Sequence, residues 1–295
     1  MRIRLLALLS TTMLFVVGAV PASASSEGHG YLALGDSVAF GFHPLPVSDR
    51  VDANNFIGYP EIVAQRLNVE DVNASCSGEA TGGFIDPQGL DNSCRGYRSV
   101  WPLHVAYTGT QLAFAVNYLK ANPRTRLVTL NLDANDLFRV TAGPSTDFWP
   151  PSTCFTPDFV AYLQTCAVQN LDTIFAAIRA TGYTGLIVEM TYYALDYSDP
   201  AGLFVSGLLN GAMIKAAQNS DRVLIASGFD AWKATALAVG GSSCTAKLLI
   251  ALPTGGCDIH PTPAGRDLLA GAIVQTIANS CPARSAIGCL DRNQA

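Results

Sequence analysis

Two residues with complementary chemistry stand near opposite ends of the chain. Ser37 closes the run Tyr31-Leu32-Ala33-Leu34-Gly35-Asp36-Ser37 and is followed by Val38-Ala39-Phe40-Gly41. A serine hydroxyl is a poor nucleophile until a base takes its proton, and a third group then keeps the imidazole of that base in the working tautomer. His260, within Asp258-Ile259-His260-Pro261, is the candidate base. The other histidines have blander settings: His29 lies near the N-terminus, His43 in a proline-rich loop, and His104 within Trp101-Pro102-Leu103-His104. The group that orients His260 is open between two sources. Asp258 shares a face with it if the loop is extended, and a backbone carbonyl is the alternative. Gly-Asp-Ser also occurs in ordinary turns, so the surrounding elements must decide what Ser37 is for.

Those elements alternate. Short apolar runs at Tyr31–Leu34, Val69–Asn73, Arg126–Leu132, Gly185–Met190 and Arg222–Ala226 read as buried strands. Helical patterns at Tyr59–Leu67, Thr110–Ala121, Asp158–Ala180, Leu203–Ala217 and Pro263–Ala278 lie between and after them. The last begins with Thr262 as a cap and Pro263 in the first turn. This order predicts an α/β fold, a three-layer α/β/α sandwich around a central, mainly parallel five-stranded sheet. Ligands of such folds sit beyond the carboxyl ends of the strands. Ser37 follows the first strand, where its backbone N–H can also face a developing anion. Gly35 permits the tight turn that brings it there.

Composition narrows the class. Of 295 residues 49% are hydrophobic and 14% charged, which excludes disorder. The 23 acidic residues outnumber the 18 Lys plus Arg, and no basic run occurs, which argues against nucleic-acid binding. The head Met1-Arg2-Ile3-Arg4, the apolar run Leu5 to Val20, Pro21 and Ala22-Ser23-Ala24 have the layout of a secretory leader. That run is shorter than the ~20 residues a membrane-spanning helix needs. Cleavage near Ala24 leaves residues 25–295 as a single, monomeric domain without a membrane span, and losing Arg2 and Arg4 takes the net charge from −5 to −7. All eight cysteines lie beyond that point. An even count in an exported chain points to disulfides, and no CxxC spacing suggests zinc. Eight cysteines allow about 105 connectivities, which the sequence does not choose between; the expectation is sequential pairing, Cys76–Cys94, Cys154–Cys166, Cys244–Cys257 and Cys281–Cys289.

Four segments together resemble the ordered sequence blocks of the GDSL, or SGNH, hydrolases, in the form found in secreted actinobacterial lipases and esterases. They are Leu34-Gly35-Asp36-Ser37, Cys76-Ser77-Gly78-Glu79-Ala80-Thr81, Ala134-Asn135-Asp136 and Asp258-Ile259-His260-Pro261. The resemblance implies a sheet of flavodoxin-like type and a cofactor-free and metal-free serine ester hydrolase with Ser37 as nucleophile and His260 as base. It also implies an oxyanion hole built from Ser37, Gly78 and Asn135. Two positions depart from the pattern. Asp133 stands where the third block has glycine, and must point away from a developing oxyanion or be hydrogen-bonded. Cys257 stands three before His260, where the fifth block has its acid, leaving Asp258 as the nearest carboxylate.

The substrate side is written in aromatic residues. Leu137 to Phe155 reads as a long loop carrying Phe138, Phe148, Trp149 and Phe155 that can wall the site, with Tyr192 and Tyr193 opposite. An apolar wall favours lipid or small carboxylic esters; an acetylated polysaccharide is the enzymatic alternative. A decayed hydrolase that only binds lipid or glycan is the non-enzymatic one. A conventional α/β-hydrolase is disfavoured, because Gly35-Asp36-Ser37-Val38-Ala39 breaks Gly-x-Ser-x-Gly and its serine comes too early in the chain.

Overall fold

A computed structural model of the chain describes residues 30–141, 158–281 and 286–292. Five strands form one parallel sheet: β1 (Gly30–Gly35), β2 (Asp71–Asn73), β3 (Thr125–Asn131), β4 (Leu186–Met190) and β5 (Val223–Ala226). Their order across the sheet is β2-β1-β3-β4-β5. Tyr31 to Gly35 and all of β4 are buried, as continuous apolar runs covered on both faces require. The expected strand Val69–Asn73 is shorter, because Val69 is still engaged at the exit of the preceding helix through its N–H to the Ala64 carbonyl.

Helices cover the sheet. In chain order they are α1 (Ser37–Phe40), α2 (Tyr59–Leu67), α3 (Thr81–Ile85), α4 (Cys94–Val100), α5 (Gln111–Ala121) and α6 (Ala134–Thr141). A continuous rod follows, from α7 (Phe159–Ala161) through a π-helical turn (Tyr162–Ala167) into α8 (Val168–Ala180). The last four are α9 (Pro200–Asn219), α10 (Gly228–Leu237), α11 (Pro263–Ser280) and α12 (Ala286–Arg292). Helices α2, α10 and α11 pack together in one layer, while α3, α5, α8 and α9 form the other. Local chemistry starts several of them. Asp199 accepts from the Ala201 and Gly202 N–H groups ahead of Pro200, and Thr262 accepts from Gly265 ahead of Pro263. None of the described helices is long and apolar enough to cross a membrane.

A small antiparallel pair completes the fold, β6 (Leu249–Ala251) with β7 (Cys257–Pro261). Disulfides join Cys76 to Cys94, Cys244 to Cys257 and Cys281 to Cys289. Cys154 of the remaining expected pair lies outside the described residues, as do residues 1–24. The chain leaves β1 to build β2 on one side and returns to place β3 on the other. The carboxyl ends of β1 and β3 therefore flank the switch point of the sheet, where a crevice is expected.

Candidate active site

Ser37 enters at the end of β1. Gly35 has φ +140°, and a Cβ there would collide with the Asn131 carbonyl of β3. Only glycine lets the two strands approach so closely. Its N–H donates to Gln111 Oε1 at 2.7 Å, and Gln111 Nε2 donates back to its carbonyl at 3.1 Å, pinning the turn. Asp36 caps α1 through the Val38 N–H at 2.9 Å, and Gly41 closes that short helix with φ +77°. Ser37 thus begins α1 with its N–H turned out of the helix, and among the described residues that N–H meets no acceptor.

His260 reaches the same point from the far end of the chain. It lies in β7, an extended strand rather than the expected loop, because β6 pairs with it and Cys244 ties down Cys257. Its Nε2 is 2.9 Å from Ser37 Oγ. Its Nδ1 faces Asp258 Oδ1, and that same oxygen accepts the His260 backbone N–H at 3.0 Å. Alternation along a strand puts residues two apart on one side, so Asp258 and His260 meet by local geometry. Burial would raise the Asp258 carboxyl, but hydrogen bonds and charge from His260 outweigh it and hold it below its ordinary range. The Phe42 ring packs edge-on against the imidazole with centroids 4.9 Å apart, and Tyr193 Oη donates to the Ile259 carbonyl at 2.6 Å. These contacts fix where the ring can sit.

Asn135 lines the cavity beside Ser37, and Gly78 immediately precedes Glu79, whose carbonyl Asn135 contacts. Gly78 has φ +86°, and a Cβ there would collide with the Asn92 carbonyl oxygen. The Gly78 N–H has no acceptor among the described residues. Asn135, in the first turn of α6 just past β3, donates from Nδ2 to the Glu79 carbonyl at 2.9 Å and to Asp36 Oδ2 at 3.2 Å. Its neighbour Asp136 accepts from the Thr81 N–H at 2.8 Å, Thr81 Oγ1 at 2.6 Å and Tyr162 Oη at 2.7 Å. This buried knot ties α6 to α3 and so fixes the loop that carries Gly78.

Asp133 is not hydrogen-bonded: it is buried, it does not line the cavity beside Ser37, and neither carboxyl oxygen has a partner among the described residues. Burial first, then nearby Asp136 and Asp36, push it well above the carboxylate range, toward the neutral acid. Its φ of 122° lies where glycine is at ease. Here Asp133 takes on both the strain and the desolvation. Glu189 in β4 is equally buried, and its carboxyl oxygens also have no partner among the described residues. Asp36, which accepts from Tyr192 Oη at 2.5 Å, is pushed up by burial to about 6, against the lowering effect of that hydrogen bond.

A cavity of about 430 Å³ opens beside Ser37 and His260. Val38, Leu137, Phe138, Leu195, Val205, Leu209 and Ile259 give it an apolar lining, and Tyr192 and Tyr193 also contribute. Phe138 is on the wall as expected, but residues 137–141 belong to α6 rather than to a loop. Phe148, Trp149 and Phe155 lie outside the described residues. The sequence reading missed the contribution of α9, which begins at Pro200 instead of Leu203; the Asp199-Pro200 start signal was there to find. No Lys or Arg lines the cavity among the described residues, and Asp196 and Asp199 do. One group, Glu79, Asp91 and Cys94, has the proximity a metal ion needs, but the Cys94 sulfur is committed to Cys76. The assembled groups can activate a hydroxyl and hold an adjacent apolar chain.

The model of the GDSL-like lipase/acylhydrolase family matches residues 33–268. The fold is similar to that of phospholipase A1 from Streptomyces albidoflavus (TM-score 0.55, 19% identity, covering 84% of this chain and 99% of that one). It is also similar to an α/β hydrolase from the Lake Arreo metagenome (0.51, 16%, covering 89% and 96%). An acetyl-xylooligosaccharide esterase from Geobacillus is a third such structure (0.50, 16%, covering 84% and 94%). At these identities the similarity speaks for the fold alone. No curated protein sequence matches the chain.

Proposed function

The chain belongs to the GDSL-like lipase/acylhydrolase family, and we propose that it is a secreted carboxylic ester hydrolase acting on neutral esters with an apolar acyl group. The observation that carries this reading is the contact line from Ser37 Oγ through His260 to Asp258 at the mouth of an apolar cavity. Ser37 Oγ attacks the ester carbonyl carbon while His260 Nε2 takes its proton. The carbonyl oxygen becomes an oxyanion held by the Ser37 and Gly78 N–H groups and by Asn135 Nδ2, donors that together supply several kcal/mol. His260 then passes its proton to the leaving alcohol, and an acyl-enzyme remains on Ser37. Water, deprotonated by His260, attacks that ester, and the carboxylic acid leaves as Ser37 regains its proton. Asp258 holds the imidazole and stabilises its cationic form.

Substrate class follows from the lining. Each methylene taken from water contributes about 0.8 kcal/mol, so acyl chains that extend along Val205 and Leu209 are favoured over acetyl. The absence of cationic lining residues among those described, with Asp196 and Asp199 present, disfavours anionic substrates. Secretion rests on the leader-like residues 1–24 and on the disulfides, which persist in oxidising compartments. The test is a panel of nitrophenyl esters of rising acyl length, with acetylated glycan included, on wild type and Ser37→Ala. Turnover by wild type alone, rising with chain length, is the expected result. Equal rates from the two proteins refute the assignment, and activity confined to acetyl esters refutes the substrate class.

A further inference from the structure

Asn135 is held at both ends of its amide. Nδ2 donates to the Glu79 carbonyl at 2.9 Å and to Asp36 at 3.2 Å, while Oδ1 accepts from Asn92 Nδ2 at 2.7 Å. A backbone carbonyl can only accept, so the Glu79 contact decides which end of the amide is the nitrogen. The group facing Oδ1 must therefore be a donor, and Asn92 supplies it. The same residue braces the second loop. Its N–H donates to the Gly78 carbonyl at 2.9 Å, and its own carbonyl fills the space that a Cβ on Gly78 would need. Asn92 sits in the loop closed by Cys76–Cys94, where the Cys94 N–H donates to Asp91 Oδ1 at 2.8 Å. One side chain and one peptide group thus connect two loops that belong to different strands.

We propose that Asn92 is a positioning residue of the oxyanion hole, holding the Asn135 amide with Nδ2 toward the acyl oxygen and setting the Gly78 N–H beside it. The inference rests on the ester-hydrolase reading above. The Asp36 contact is at the long limit for an N–H···O bond, so that hydrogen is the one that can be shared with the developing oxyanion, while the Glu79 carbonyl and Asn92 keep the amide plane fixed. No block of the family pattern described above includes Asn92, and only the folded loop brings it to Asn135.

Asn92→Asp decides the matter, because it keeps the shape but presents an acceptor to Asn135 Oδ1. On a soluble short-chain nitrophenyl ester its kcat should fall about 100-fold, near the ~10²–10³ expected for one lost oxyanion donor, with KM within about threefold of wild type. Asn92→Ala, which removes the donor without repulsion, should lose about tenfold. In the double variant with Asn135→Ala, Asn92→Asp should add less than about threefold, because its effect runs through the missing amide. If Asn92→Asp does not fold, the same cycle with Asn92→Ala decides. A kcat within threefold of wild type, a double variant that loses the product of the single losses, or Asn92→Ala more damaging than Asn92→Asp would each overturn the proposal. A wild type inert toward every ester refutes the function itself, a separate outcome.

Discussion

Replacing Asp258 tests the geometry of the site more sharply than replacing Ser37, because two substitutions there should give different results. One oxygen, Oδ1, accepts both the His260 ring N–H and the His260 backbone N–H. Asparagine can offer its carbonyl oxygen to both donors and leave Nδ2 where Oδ2 stood, so Asp258→Asn preserves the tautomer and loses only charge. A charge-assisted hydrogen bond exceeds a neutral one by about 1.5 kcal/mol, or roughly tenfold in rate at 1.36 kcal/mol per decade. An upper bound comes from Coulomb attraction at about 4 Å with effective permittivity near 20, about 4 kcal/mol. The Asp258 side chain is 22% exposed, so solvent screening keeps the loss near the lower figure. The expected fall in kcat/KM is about 10- to 100-fold. Asp258→Ala removes both hydrogen bonds and frees the ring, and should cost about 10³–10⁴, the range for losing a correctly held base. Steady-state kinetics on one soluble ester at pH 8 measures both. Equal losses in the two variants would refute the shared-oxygen argument. A loss of only a few-fold in Asp258→Ala would refute the role of Asp258 altogether.

Two further outcomes concern the scaffold. Gly78→Ala forces a Cβ into the Asn92 carbonyl at a φ of +86°, so it should destabilise the fold by about 1–3 kcal/mol and lower kcat as well; denaturant melts and kinetics read both, and a neutral result refutes the tight packing. Glu79 is buried, and burial first and Asp91 second push its carboxyl up to about 8 from 4.5. The native state then keeps a proton that the unfolded chain has released. That group favours folding fully below pH 4.5 and progressively less as pH rises toward 8, by at most ~1.4 kcal/mol per pH unit. Glu79→Gln should therefore flatten the decline of Tm between pH 5 and 8.5, with a residual slope from Asp36, Asp133 and Glu189. Parallel wild-type and variant curves in calorimetry would show that Glu79 does not titrate there.

Much of the site is local in the chain and was legible there. Gly35-Asp36-Ser37 announces a strand that stops at a tight turn, since its glycine is required by the approach of β3 and its aspartate caps the next helix. The i, i+2 relation of Asp258 and His260 is likewise a property of extended backbone, whether loop or strand. What was illegible depends on neighbours remote in sequence. The strand character of His260 comes from β6, and the wall supplied by α9 comes from packing beside α8. The state of Asp133 comes from complete burial, which no residue pattern around it reveals.

The sequence by itself determined the strand-helix alternation, the even cysteine count that points to disulfides, and the residue types able to react. Each follows from periodicity, composition or intrinsic chemistry, quantities that do not need a third dimension. Which cysteines pair was settled for three couples only in the fold. Tertiary structure alone decided that Ser37 and His260, 223 positions apart, stand 2.9 Å from one another. It alone put Asn92 against Asn135 and buried Asp133 with no partner among the described residues. Hydrogen bonding and desolvation act over a few ångströms of space, and such distances between residues remote in the chain exist only once the sheet has closed its switch point.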